Sequence, residues 1–89
     1  MKLFPLKIAS PTGLLFEGEA YMLSVRGVDG DLAVLAGHVP FVTALKEGSV
    51  RLYTTPDAKP RTAKATGGIL TVSEEGVTLL SADLAWQDA

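Results

Sequence analysis

The sequence predicts an all-β domain, a small β-sandwich or flattened barrel. Three observations carry this reading. Apolar residues alternate with polar ones over short runs, turn residues recur at about 8- to 12-residue spacing, and no segment holds the i, i+3, i+4 pattern of a long amphipathic helix. The chain has 89 residues, 47% of them hydrophobic, and no break in composition. One domain with one core follows.

Phe4, Leu6 and Ile8 share one parity, with Lys7 and Ala9 on the other, so a strand opens the chain. Pro5 cannot donate to a sheet ladder, which makes this strand an edge or makes Pro5 its irregular start. Ser10, Pro11, Thr12 and Gly13 turn the chain into a strand over 14–19, and Gly18 marks a bend before the next, over 20–26, where Tyr21, Leu23 and Val25 alternate with Met22, Ser24 and Arg26. Gly27-Val28-Asp29-Gly30 is the strongest turn signal, because Asp-Gly suits the positive φ angles of tight hairpins. A brief apolar strand over 32–35 follows.

After the bend at Gly37, His38, Val39 and Pro40, residues 41–45 read as a strand, Glu47-Gly48 as a turn, and Val50, Leu52 and Thr54 as one face of another strand. The stretch 55–60, with Pro56 and Pro60, is a polar surface loop. Extended pattern resumes over 61–66. Gly67-Gly68 precedes a strand over 69–73, and Glu74-Glu75-Gly76 joins it in a hairpin to one over 77–82. About nine short strands result. Leu84 and Trp86 lie beyond the last of them, in a tail that either folds back on the sandwich or meets a partner.

Composition excludes several functions. Cysteine is absent, so there is no disulfide framework, thiol catalysis or thiolate metal site, in keeping with a reducing compartment. A formal charge of −2 with interspersed signs lacks the basic excess of a nucleic-acid or anionic-lipid binder. The one basic cluster, Lys59, Arg61 and Lys64, reads as a solvated strand face. No apolar run reaches the roughly 18 residues of a membrane span, and no signal peptide opens the chain, so it is expected to be soluble and unexported, with no direct membrane insertion.

Asp29, Asp31 and His38 form the only grouping suggestive of a base or a metal site. No second histidine or nucleophile motif supports it, and aspartate at a hairpin is ordinary turn chemistry, so no catalytic, cofactor or metal residue is assigned. His38 reads as a polar contact group. The glycines at 27, 30 and 37 open onto no helix and therefore read as backbone bends rather than a phosphate loop. Tyr21, Met22, Phe41 and Tyr53 read as core.

Beyond these readings, the run Gly30-Asp31-Leu32-Ala33-Val34-Leu35-Ala36-Gly37-His38-Val39-Pro40 resembles the Gly-acid-Leu-Gly-aliphatic-aliphatic-Pro-Gly-His-Ala-Pro motif of the epsilon subunit of F-type ATP synthases, in its amino-terminal domain. Thr43-Ala44-Leu45-Lys46, Gly48, and Gly67-Gly68-Ile69-Leu70 with Val72 continue the resemblance in order, over nearly the whole chain. Ala33, Ala36 and Glu47 depart from the family's usual Gly, Pro and Pro, which changes local backbone freedom and leaves the acid and the histidine in place.

The resemblance implies a ten-stranded sandwich or flattened barrel over residues 1–83, with 84–89 a short tail. It implies a non-catalytic rotor subunit of the central stalk that links the gamma subunit to the c ring and couples ion translocation to ATP synthesis. One sandwich face would pack on gamma. Asp31 and His38 would meet the polar loops of the c ring, and Gly30, Gly37, Gly67 and Gly68 would be structural turns. No cofactor and no nucleic acid are implied. The location implied is peripheral, on the cytoplasmic face of the bacterial inner membrane through the complex. The family's carboxy-terminal helical hairpin is expected to be absent. The rival readings are an independent β-sandwich module for a peptide or a sugar and, with least support, a small hydrolase dependent on His38.

Overall fold

The computed structural model describes residues 2–87. Ten strands follow in chain order: β1 (Phe4–Ser10), β2 (Gly13–Ala20), β3 (Met22–Gly27), β4 (Gly30–Leu35), β5 (Phe41–Leu45), β6 (Gly48–Tyr53), β7 (Arg61–Ala65), β8 (Gly68–Ser73), β9 (Gly76–Leu80) and β10 (Leu84–Trp86). No helix occurs among the described residues. The predicted all-β class is therefore the observed one.

The strands pair in the order β10-β7-β6-β3-β5-β8-β9-β1-β2, with β4 on the other edge of β3. This single sheet curls into two halves of five strands, β4-β3-β6-β7-β10 and β5-β8-β9-β1-β2. They are joined at one residue pair, Gly27 opposite Leu45. At that corner β6 pairs with Met22, Leu23 and Ser24, and β5 takes over the same edge of β3 at Gly27. Gly27 has no room for a side chain there, since a Cβ would lie 2.8 Å from the Gly30 carbonyl oxygen.

Alternation directs one parity of each strand into the shared core. Ile8, Leu23, Leu52, Leu70 and Leu79 are fully buried, and Val25, Val34, Val50 and Ala63 pack among them. The far corner is held by polar contacts. Buried Ser81 donates its hydroxyl to the Gly67 carbonyl at 2.6 Å, its backbone N–H bonds the Ala9 carbonyl, and the Thr66 N–H bonds the Asp83 carbonyl. Gly68 lies so close to the Leu80 backbone that a Cβ would overlap its carbonyl oxygen.

Several local expectations are corrected. The first strand is not an edge, because β1 lies between antiparallel β2 and parallel β9. Pro5 is not an irregular start either, since it is the second residue of β1 in regular register with Glu19 and the register shift comes at Ile8 and Ala9. The β9 ladder begins at Leu6, so the missing N–H falls outside that ladder. The bend between the second and third strands is at Tyr21, and Gly18 stays within β2. The hairpin after β3 turns on Val28 and Asp29, both with ordinary φ, and the positive φ of 132° falls on Gly30 just after the turn.

Gly37, Gly67 and Gly68 also have positive φ, at 88°, 127° and 149°. Gly48 does not, so the turn before β6 makes no backbone demand for glycine. Leu84 and Trp86, read as lying past the last strand, fold back as β10 against β7, and residues 88 and 89 lie outside the described range. Leu84 is buried, and Arg61 stacks over the Trp86 ring at 3.9 Å, so this member of the basic cluster is not simply a solvated charge. Of the four residues read as core, Phe41 packs on it, whereas Met22 and Tyr53 face each other on the outer side of β3 and β6.

Candidate partner-binding surfaces

Asp31 is on strand β4 rather than in a loop, paired in register with Arg26 across the hairpin. Arg26 donates its Nε–H to Asp31 Oδ1 at 3.2 Å, with both side chains well exposed. His38 lies beyond the other end of β4. Its backbone N–H bonds the Leu35 carbonyl, and its exposed ring leans on Phe41 with centroids 5.5 Å apart. Leu35 is four residue steps from Asp31, about 13 Å along the strand. The structure therefore sets the two residues at opposite ends of one edge strand. Among the described residues no three His, Asp or Glu side chains group to hold a metal ion.

A larger feature escaped the sequence reading. Registers align Ala44, Ile69, Leu80, Ala9 and Leu14 in one row across β5, β8, β9, β1 and β2. These residues alternate with the buried ones and so point outward. Ile69, Leu80 and Leu14 are 49%, 51% and 54% exposed, and Val42, two residues along from Ala44, is 67% exposed. An apolar band this wide on one sheet face marks an interaction surface. Its signal was present in the chain: Leu14-Leu15, Ile69-Leu70 and Leu79-Leu80 place apolar residues on both parities, as strands covered on both faces do.

The outer side of the other half is mixed, with Leu35, Met22 and Tyr53 in an apolar row at one end and polar residues at the other. Ser24, Arg26, Asp31, Ser49 and Arg51 line a shallow depression of about 340 Å³. The row through Ile69 and Leu80 is thus fit for apolar packing and the Arg26 end of the other half for polar contact. Neither geometry offers a nucleophile with a base beside it.

Residues 3–87 match the family described as ATP synthase, Delta/Epsilon chain, beta-sandwich domain. The ATP synthase epsilon chain of Bacillus velezensis is 40% identical over 81 residues, which is 91% of this chain and 60% of that protein. The ATP synthase epsilon chain 1 of Nitrobacter hamburgensis is 40% identical over 85 residues, 96% of this chain and 61% of that one. The chain thus spans about three fifths of the length of these curated relatives.

Among solved structures, a chain in the cryo-EM structure of the Euglena gracilis mitochondrial ATP synthase (OSCP/F1/c-ring, rotational state 1) superposes with a TM-score of 0.85 at 21% identity, covering 94% of this chain and 53% of that one. One in the Tetrahymena thermophila mitochondrial ATP synthase central stalk and c ring gives 0.78 at 12% identity, with 90% and 63% covered. Identities this low speak to the fold alone. The family profile and the bacterial relatives speak to descent, and on them this chain belongs to the ATP synthase delta/epsilon chain β-sandwich domain family.

Proposed function

We propose that this chain serves as a non-catalytic central-stalk subunit of an F-type ATP synthase, linking the gamma subunit to the c ring so that ion translocation is coupled to ATP synthesis. The observation that carries the reading is the outward apolar row through Ile69 and Leu80, a five-strand surface suited to packing on a partner. In this reading the row is the face that meets gamma. Asp31 and His38 meet the polar loops of the c ring, and because they flank β4 that contact runs along the strand rather than at a single point.

The mechanical logic rests on packing. Ile8, Leu23, Leu52 and Leu70 fill the space between the halves, and a close-packed interior deforms little under load. A sandwich gripped on one face and along one edge then moves as a unit with the shaft. Association with the membrane is through the complex, on the cytoplasmic face of the bacterial inner membrane. No helix of the described residues is long and apolar enough to cross a bilayer.

The test is retention of the chain on purified gamma subunit and on isolated c ring, with stoichiometry read from the eluate. Wild-type chain is expected to be retained with gamma. Ile69→Glu, which places a charge in the centre of the apolar row, is expected to lose gamma binding while keeping its melting temperature. The double variant Asp31→Arg, His38→Ala is expected to weaken c-ring contact and coupled proton pumping more than folding. A folded wild-type chain that binds neither partner would refute the assignment in favour of an independent peptide or sugar module.

A further inference from the structure

We infer that the depression formed by Arg26, Arg51, Ser24 and Ser49 beside Asp31 is a receptor for a carboxylate carried on an acidic segment of a partner polypeptide, a second contact distinct from the apolar face. The inference rests on the docking reading above and adds to it a chemistry and a location.

Gly48 supplies the first observation. Its φ is not positive, so the backbone does not require glycine there. What an added side chain would meet is Arg26: a Cβ on Gly48 would overlap Arg26 Cδ and stand 2.9 Å from Cγ, so the arginine stem would have to shift. The aliphatic stem of Arg26 lies across the bare backbone at the start of β6, and its Nε–H reaches Asp31 Oδ1. A guanidinium tied down through Nε keeps its two terminal amino groups, and these donors are fixed before any partner arrives.

Arg51 supplies the second. It stands opposite Ser24 across β3 and β6, is exposed, and has no ion pair among the described residues. Two guanidinium groups and two serine hydroxyls therefore line one depression of about 340 Å³, with Asp31 as its single acid. Lys64 stands opposite Ser49 on the same outer side, so the local balance is two positive charges, from two arginines and one lysine against one aspartate.

That balance decides the occupant. A small positive excess with a forked donor geometry suits a carboxylate, which arginine binds in bidentate fashion. A polyphosphate or nucleic acid backbone would meet only two net positive charges locally and a chain of −2 overall, too little to hold a polyanion. The neighbouring Asp31 further orients the approach, since the partner's acid is admitted on the Arg51 side and repelled on the other.

The experiment measures affinity of the full-length chain for purified gamma subunit and for isolated c ring as a function of potassium chloride concentration. The variants compared are Arg51→Glu, Gly48→Ala and the apolar-face variant Ile69→Glu. Arg51→Glu is on an exposed outer position and should keep its melting temperature. It is expected to lose about tenfold in affinity for one of the two partners, the equivalent of one charge-assisted hydrogen-bonded pair, and to flatten the salt dependence. Gly48→Ala, which displaces Arg26, should lower affinity for that same partner.

Unchanged affinity and unchanged salt slope in Arg51→Glu, with Ile69→Glu still impaired, would overturn the receptor and leave the rotor reading standing. If free inorganic phosphate competes with the partner as effectively as an acidic peptide does, the site is a general anion site and the carboxylate assignment fails. No retention of wild-type chain on either partner would remove the rotor reading and this receptor together.

Discussion

Replacing Gly68 by alanine separates backbone strain from steric exclusion when it is compared with the same change at Gly30. Both glycines have positive φ, 149° and 132°, which L side chains rarely adopt. Around Gly30 nothing lies within 4 Å of the added Cβ, so Gly30→Ala meets only the strain, about 1 to 3 kcal/mol. At Gly68 the Cβ overlaps the Leu80 carbonyl oxygen and comes within 3.1 Å of Ser81 Cα, both backbone atoms that cannot rotate away. Overpacking of that kind adds roughly 1 to 3 kcal/mol. The corner is also where Ser81 bonds the Gly67 carbonyl, so relief by backbone movement would strain a buried hydrogen bond. For a domain of this size each kcal/mol lowers Tm by about 4 to 8 °C. Gly68→Ala should therefore melt at least about 4 °C below Gly30→Ala, followed by thermal circular dichroism with Trp86 fluorescence as a second probe. Equal melting temperatures for the two variants would refute the claim that the β8–β9 approach is what demands glycine at 68.

Two further outcomes follow from the core and from the last strand. Leu70→Ala empties a fully buried position at the centre of β8 and should cost about 2 to 5 kcal/mol in urea denaturation, against less than about 0.5 kcal/mol for Thr71→Ala on the outer side of the same strand. Trp86→Ala removes the surface under Arg61 and should raise amide exchange along β10 without altering exchange in β1 or β9, with a loss of global stability of about 1 to 2 kcal/mol.

The strands themselves were legible because their causes are local. Phe4, Leu6 and Ile8, or Val50 and Leu52, announce a buried face by spacing alone, and residues 41–45 form β5 with the bounds that the pattern implies. What pairs with what was not legible. The parallel contact of β1 with β9 joins residues about seventy positions apart in the chain, as in Leu6 opposite Val77, and no short-range period encodes it. Strand β10 escaped for a different reason, since three residues offer only two positions of alternation and β10 exists because β7 presents Ala63 and Ala65 to it. Gly48 read as a turn glycine because the Arg26 side chain that an added Cβ would meet comes from another strand. Asp31 and His38 were found as residue types in a motif, and the length of β4 between them could be measured only once that strand was drawn to full extent.

The apolar row and the polar depression lie on opposite halves of one curled sheet, and that division constrains how a complex is built around the domain. A partner packing on Ile69 and Leu80 gains affinity from buried apolar area, which depends little on orientation within the plane of the sheet. A partner meeting Arg26, Asp31 and Arg51 gains only about tenfold in affinity from that contact, but a forked donor and a neighbouring acid accept only certain approaches. Adhesion and orientation are therefore assigned to different surfaces. The corner at Gly27 and Leu45 is the one place where the two halves share a ladder, so the angle between those surfaces is governed there and at the Ser81 corner across the molecule. Substitution at Gly27, whose Cβ would press on the Gly30 carbonyl, should thus disturb the relation between the two contacts before it disturbs either contact alone.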